Sequence, residues 1–243
     1  MQNILVPATQ SRGDFMRVVQ TLANKFGSSE SQIINTYKIY NQALKMPKAL
    51  SPQLSSYDFN PVKAVETPVP GEVKIDKNDF FAVTGVGLRF TRATYSSATG
   101  QLSAYGNYDE YTFPYATVFS GSGEQSALLT TVRGSLSLFV TDDMQWNIPC
   151  SELVYENQQI NAQVQTIGYG GDAGHRGIYP LDSIVVMDGG ADNKLTLNLL
   201  AGTITNIDGN TNATTRNLIM PVLYGFQIKN LSGGGFSAAN CRI

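Results

Sequence analysis

The sequence predicts a mainly β protein, an antiparallel β-sandwich preceded by a helical N-terminal arm and an extended Pro-rich spacer. Three observations carry this. From Asp79 onward nearly every segment is rich in β-branched and aromatic residues and is bounded by turn clusters such as "SSATGQ", "SGSGEQ", "DGGADN" and "DGNTNATT". Apolar residues before Pro47 recur at helical spacing instead. Between the two lies a stretch punctuated by Pro52, Pro61, Pro68 and Pro70. The expected units are 1–48 (arm), 49–77 (spacer) and 78–243 (sandwich). Eight or more strands without interleaved helices suit an antiparallel sandwich or barrel, and a single jelly roll fits the length.

In the arm, Phe15, Val18, Val19, Leu22 and Phe26 form one apolar stripe, and Gly27 follows as a stop. Ser29 opens a Ser-x-x-Gln capping box. Ile33, Tyr37, Tyr40 and Leu44 then step by four, three and four, which predicts a second helix ending at Pro47. Such a hairpin is too small to bury its own stripes, so it is expected to lie on the β-domain or on another chain. Proline density in the spacer keeps that segment extended.

In the β-region the expected strands include "FFAVTGVGLRFTRATY", "ALLTTVRGSLSLFVT", "QWNIPCSELVY", "SIVVM", "KLTLNLLAGTITNI" and "LIMPVLYGFQIKN". The Asp142-Asp143 pair is read as the turn between two strands, with Trp146 re-entering the core or an interface.

Only 15% of the 243 residues are charged, below the usual quarter, while the chain holds 12 Tyr and 11 Phe. A surface this poor in charge predicts cover by neighbouring subunits. Residues 1–48 carry six basic and two acidic side chains, and the remainder carries eleven and seventeen, so a mildly basic arm precedes an acidic body. No run of 18 apolar residues indicates a membrane span, and the N-terminus does not read as a secretory signal. Cys150 and Cys241 form no disulfide framework and are expected to be reduced packing residues.

Catalytic chemistry finds little purchase. The lone histidine, His175, lies in a glycine-rich loop with Asp172 and Arg176, and no Gly-x-Ser-x-Gly elbow accompanies it. One His and two distant Cys do not make a zinc site. Asp142, Asp143, Glu152 and Glu156 are the carboxylates a glycosidase reading would use. No cofactor is indicated. If an ion binds, calcium is the candidate, at Asp188, Asp192 and Asp208, although neither loop has EF-hand order. Tyr105, Tyr108, Tyr111 and Tyr115, set among Asn, Asp and Glu, suit either a glycan site or a subunit interface.

A helical basic arm, a Pro-rich spacer and a low-charge sandwich together resemble the jelly-roll capsid proteins of tailless bacteriophages and other non-enveloped viruses. "VRGSLSLFVTDDMQWNIPCSELVYEN" and "YPLDSIVVMDGGADNKLTLNLLAG" resemble phage virion proteins in style. The resemblance implies a self-assembling shell subunit of the virion, formed in the host cytoplasm. Its partners would be copies of itself and other virion proteins, contacted through the arm stripes. The arm has no arginine run, so any genome contact would be weak. The alternatives are a carbohydrate- or receptor-binding module and, behind it, an all-β glycosidase.

Overall fold

The computed structural model describes residues 9–63, 72–96, 101–103, 110, 119, 123–154, 178–200, 204–209 and 215–230. It is a two-sheet antiparallel arrangement with the first two helices on one outer face.

Helix α1 (Thr9–Phe26) ends at Gly27, whose φ of +60° favours glycine. Helix α2 (Glu30–Thr36) carries the expected reciprocal Ser29/Gln32 capping box. The second helix stops there: Tyr37–Lys45 is strand β1, paired along its length with the last strand. The expectation that Tyr37, Tyr40 and Leu44 continue a helical stripe is therefore corrected. Nine residues of ladder pairing outweigh a modest helical spacing, and alternation sends Tyr37 to the helix side and Leu44 to the inter-sheet core.

The spacer is also corrected. It contributes β2 (Lys48–Ala49), β3 (Ser56–Phe59) and bridges Lys45–Val73 and Val62–Ile75. Leu50, Tyr57, Phe59, Val62 and Ile75 are buried in the main core, so the extended chain is part of the domain.

Strands β4 (Phe80–Ser96), β5 (Gln101–Ser103), β6 (Ser135–Val140), β7 (Asp143–Pro149), β8 (Tyr179–Asp188), β9 (Asn193–Asn198) and β10 (Thr215–Asn230) complete the sheets. Two stretches expected as strand are partly helical. Helix α3 (Glu124–Leu129) runs into a 3₁₀ turn (Thr130–Arg133) ahead of β6, and α4 (Cys150–Val154) follows β7. Both bury one face of a short run that holds Leu and Ala or Val, which periodicity alone cannot tell from strand.

Sheet A runs β1-β10-β4-β5, with β2 also on β10 and β8 also on β4. Sheet B runs β3-β9-β6-β7. The pairings nest: β1 with β10, β3 with β9, β4 with β8 and β6 with β7, each enclosed by the one before and alternating between the sheets. Asp188–Asn193, expected as a turn between strands, is the crossing from sheet A to sheet B.

The long central strands of sheet A have two covered faces. Phe81 and Val83 of β4 point into the inter-sheet core, and Phe80 and Ala82 point outward under the helices. The register skips Thr84, and this bulge flips the alternation so that Val86, Leu88 and Phe90 stay inside. Opposite, Gly225 lets β10 close on β4, since a Cβ there would lie 1.9 Å from the Ala82 carbonyl oxygen. The stripe residues Phe15, Val18, Val19, Leu22, Phe26 and Ile33 pack on Phe80, Ala82, Val186, Phe226 and Ile228 of this same chain. Leu136 and Leu138 of β6 and Leu195 and Leu197 of β9 are fully buried on the inner face of sheet B.

Candidate functional site

The acidic corner is a turn. Thr141 and Asp142 both have positive φ, 52° and 66°, the geometry of a two-residue hairpin matched to strand twist. Asp142 and Asp143 are exposed. The Thr141 N–H donates to the Asp192 carbonyl at 2.7 Å, which ties the hairpin to the sheet crossing. Trp146 packs against the main core, and its buried indole N–H has no hydrogen-bond partner among the described residues.

Two polar clusters hold opposite ends of the sandwich. At the first, the buried Gln227 amide donates to Asp79, also buried, and Lys229 lies 3.3 Å from Asp79 and 3.6 Å from Asp76. Lys63 reaches Asp76 at 2.8 Å. The hydrogen bond from Lys63 holds the Asp76 carboxyl below the usual carboxylate range, and burial pushes the Tyr40 phenol up. The charges are mutually paired and join β1, the former spacer and β10.

At the second, Glu124 is fully buried, accepting from the Asn217 side-chain amide at 2.6 Å with the Arg92 guanidinium at 3.3 Å. The Asn217 N–H donates to the Asp208 carbonyl at 2.8 Å, so the 204–209 loop is folded onto the same asparagine. Nothing local in the sequence signals either cluster: Glu124 and Asn217 are 93 residues apart, and Asp79 and Gln227 are 148 apart.

The calcium candidates do not converge. The Asp188 carboxylate accepts the Gly190 N–H at 2.8 Å, and the loop is clamped by the Asn193 amide on the carbonyls of Asp188 (2.6 Å) and Ala191 (2.9 Å). Asp192 is exposed. Asp208 sits at the other end: Asp188 is in register with Phe80, and Asp208 is tied to Asn217, in register with Arg92. A dozen residues of strand separate them by roughly 40 Å. Among the described residues no group of three His, Cys, Asp or Glu side chains is placed to hold a metal.

Cys150 is fully buried, and burial pushes its thiol up to about 12, in keeping with a packing role. Tyr105, Tyr108, Tyr111, Tyr115, His175, Glu156 and Cys241 lie outside the described residues. No described helix is long and apolar enough to cross a membrane.

The outer faces of the two sheets differ. The outer face of sheet A is covered, with Leu218, Met220 and Val222 buried beyond the helices. The outer face of sheet B is a ladder of short polar side chains. Ser56 bonds Asn198 at 2.9 Å, Asp58 accepts from Thr196 at 2.7 Å, and Ser137 meets Asn147 at 3.1 Å. A third row sets Lys194 over Phe139 at 5.6 Å, beside Met144, which is 59% exposed. No protein-family model matches this chain, and a search of curated proteins finds no significant relative.

Proposed function

We propose that the chain is a structural subunit of a virion, a single jelly-roll tile that assembles with copies of itself and with other virion proteins. The observation that carries this reading is the strand order. Eight strand positions in two four-column sheets pair as first with last, second with seventh, third with sixth and fourth with fifth, alternating between sheets. This is the order expected when one long antiparallel ribbon is rolled into a sandwich, the jelly-roll plan. Fold alone does not give function, so the surface must supply the rest. A low-charge chain whose polar groups on one outer face are largely paired with one another suits a subunit bounded by neighbours. The role is mechanical rather than catalytic. The helical arm lies on its own sheet, so its contact with neighbours in this reading is made by its outer flank, where Met16 and Ile34 are exposed.

Light scattering on a sizing column, with electron micrographs of any large fraction, tests the proposal. Shells, sheets or stable oligomers of the full chain are expected. A monodisperse 26.3 kDa species at every concentration and ionic strength tried would overturn it.

A further inference from the structure

The four edges of the two sheets are not alike. On β8, the Arg17 guanidinium donates to the Asp182 carbonyl at 2.7 Å and Lys25 to the Val186 carbonyl at 3.4 Å, so α1 caps that edge. On β3, Lys48 donates to the Asp58 carbonyl at 2.9 Å. The β1 edge carries Lys38 and Lys45 and is bridged at Lys45 by Val73. Lysine, arginine, proline, bulges and covering elements are the usual guards against edge-to-edge pairing. The β7 edge has no basic side chain and no covering element among the described residues, and from Met144 to Pro149 it carries no charge; its guards are Pro149 and the bulge at Gln145.

The direction of its main-chain groups follows from the ladder. The Cys150 N–H donates to the Gly134 carbonyl at 2.9 Å, and the Thr141 N–H bonds toward β9. By alternation Trp146 and Ile148 bond to β6, and the N–H and C=O of Asn147 point outward. Two irregularities interrupt this edge: the register skip at Gln145, and Pro149, which has no N–H to offer.

We infer that β7 is a self-pairing edge, at which two copies of this chain join their B sheets antiparallel about a two-fold axis through Asn147. The register explains the edge. Centred on Asn147, it sets Gln145 of each copy against Pro149 of the other, so the missing donor falls opposite the bulge, where the ladder is already broken. Asn147 meets Asn147 as a hydrogen-bonded pair, each copy giving one N–H and one C=O. Trp146 of one copy lies beside Ile148 of the other, and Asp143 falls beyond the end of the other copy's strand at Pro149, so no like charges oppose within the ladder. Such a contact is isologous and continues the polar ladder of one copy into the next. It rests on the assembly reading, and names one contact within it.

Sedimentation velocity on the full chain over a wide concentration range tests this, with N147P and N147K beside the parent. Proline at 147 takes no main-chain bond from the monomer's own ladder, since that N–H faces away from β6; both variants give up the side-chain contact with Ser137 alike. Lysine at this exposed position retains the fold if proline does not, and places two like charges face to face on the axis. The expected result is a dissociation constant raised at least tenfold in both variants, with a blue shift in emission of the single tryptophan, Trp146, as the parent associates. Association of both variants at parental strength overturns the edge inference and leaves the assembly reading standing. A parent that stays monomeric throughout overturns both.

Discussion

Leu22→Ala separates a helix that belongs to its own domain from an arm that waits for a neighbour. Leu22 is fully buried, in a cluster that joins α1 and α2 to Phe80, Ala82, Val186, Phe226 and Ile228. Truncation removes the equivalent of three methylenes, about 2.4 kcal/mol of transfer free energy at ~0.8 kcal/mol each. The cavity adds to this, because sheet A beneath is fixed by ladder pairing on both sides of β10 and β4 and cannot collapse onto the gap. The expected loss is about 3–4 kcal/mol, read from urea unfolding followed by circular dichroism. Met16→Ala on the exposed side of the same helix, where the side chain is 41% accessible, is expected to change stability by less than ~0.5 kcal/mol. Native-state hydrogen exchange adds the locus, since α1 amides should lose protection before those of β4 and β10. A cost below ~0.5 kcal/mol for Leu22→Ala would refute the packing of α1 on its own sheet. A loss that depends on protein concentration would refute it equally, because the helix would then be held by another chain.

Gly225→Ala forces a methyl into the Ala82 carbonyl at 1.9 Å, so β10 and β4 must part at their bulge; a loss of about 2–3 kcal/mol in the same assay is expected. Glu124→Ala leaves the Arg92 guanidinium and the Asn217 amide without their shared acceptor and is expected to cost about 3 kcal/mol, whereas the double change with Arg92→Met should cost less than the sum of the two singles. Asp76, with its carboxyl held below the usual range by Lys63, stabilises the fold above the ordinary carboxylate value of about 3.9 and loses that contribution as pH falls through its lower folded value. Asp76→Asn should therefore flatten the acid limb of the stability curve below about pH 4 while leaving the shape near neutrality unchanged, and an unaltered acid limb would remove Asp76 from the account.

The sequence disclosed those parts of the fold that depend on neighbours in the chain. The α1 stripe, the Gly27 stop and the Ser29 capping box are each settled within a few residues and stand where expected, and the acidic turn stands one residue early, at Thr141-Asp142 rather than Asp142-Asp143. What depends on distant partners was not legible. Tyr37–Lys45 has helical spacing and becomes strand because β10, nearly two hundred residues later, offers it a ladder. The Pro-rich segment reads as a spacer because its buried Tyr57 and Phe59 are recognisable as core only once β9 lies beside them. The two ion clusters are contacts between strand ends that only the topology brings together. Among the acidic residues that could be read as chemistry, Asp142 and Asp188 are local turn material and Asp208 lies at the other end of the sandwich from Asp188, because adjacency in sequence says little about which end a loop occupies.

The arrangement of charge makes the two sheets complementary in role. Sheet A spends its outer face on α1 and α2, and the cations of α1 also close the β8 edge, so this side is finished within one chain. Sheet B has no such layer among the described residues. Its outer face satisfies its own polar groups in cross-strand pairs, Ser56 with Asn198 and Asp58 with Thr196, and so neither attracts nor repels a neighbour strongly. A face of that kind does not drive association, but it costs little to cover. In the assembly reading, direction would then come from features without a partner among the described residues: the Asn147 main chain at the β7 edge, and the exposed Met144 beside Phe139. Both lie on the same side of sheet B, so a two-fold contact there would be lateral, edge to edge, and would close on two copies whose covered helical sides face the same way.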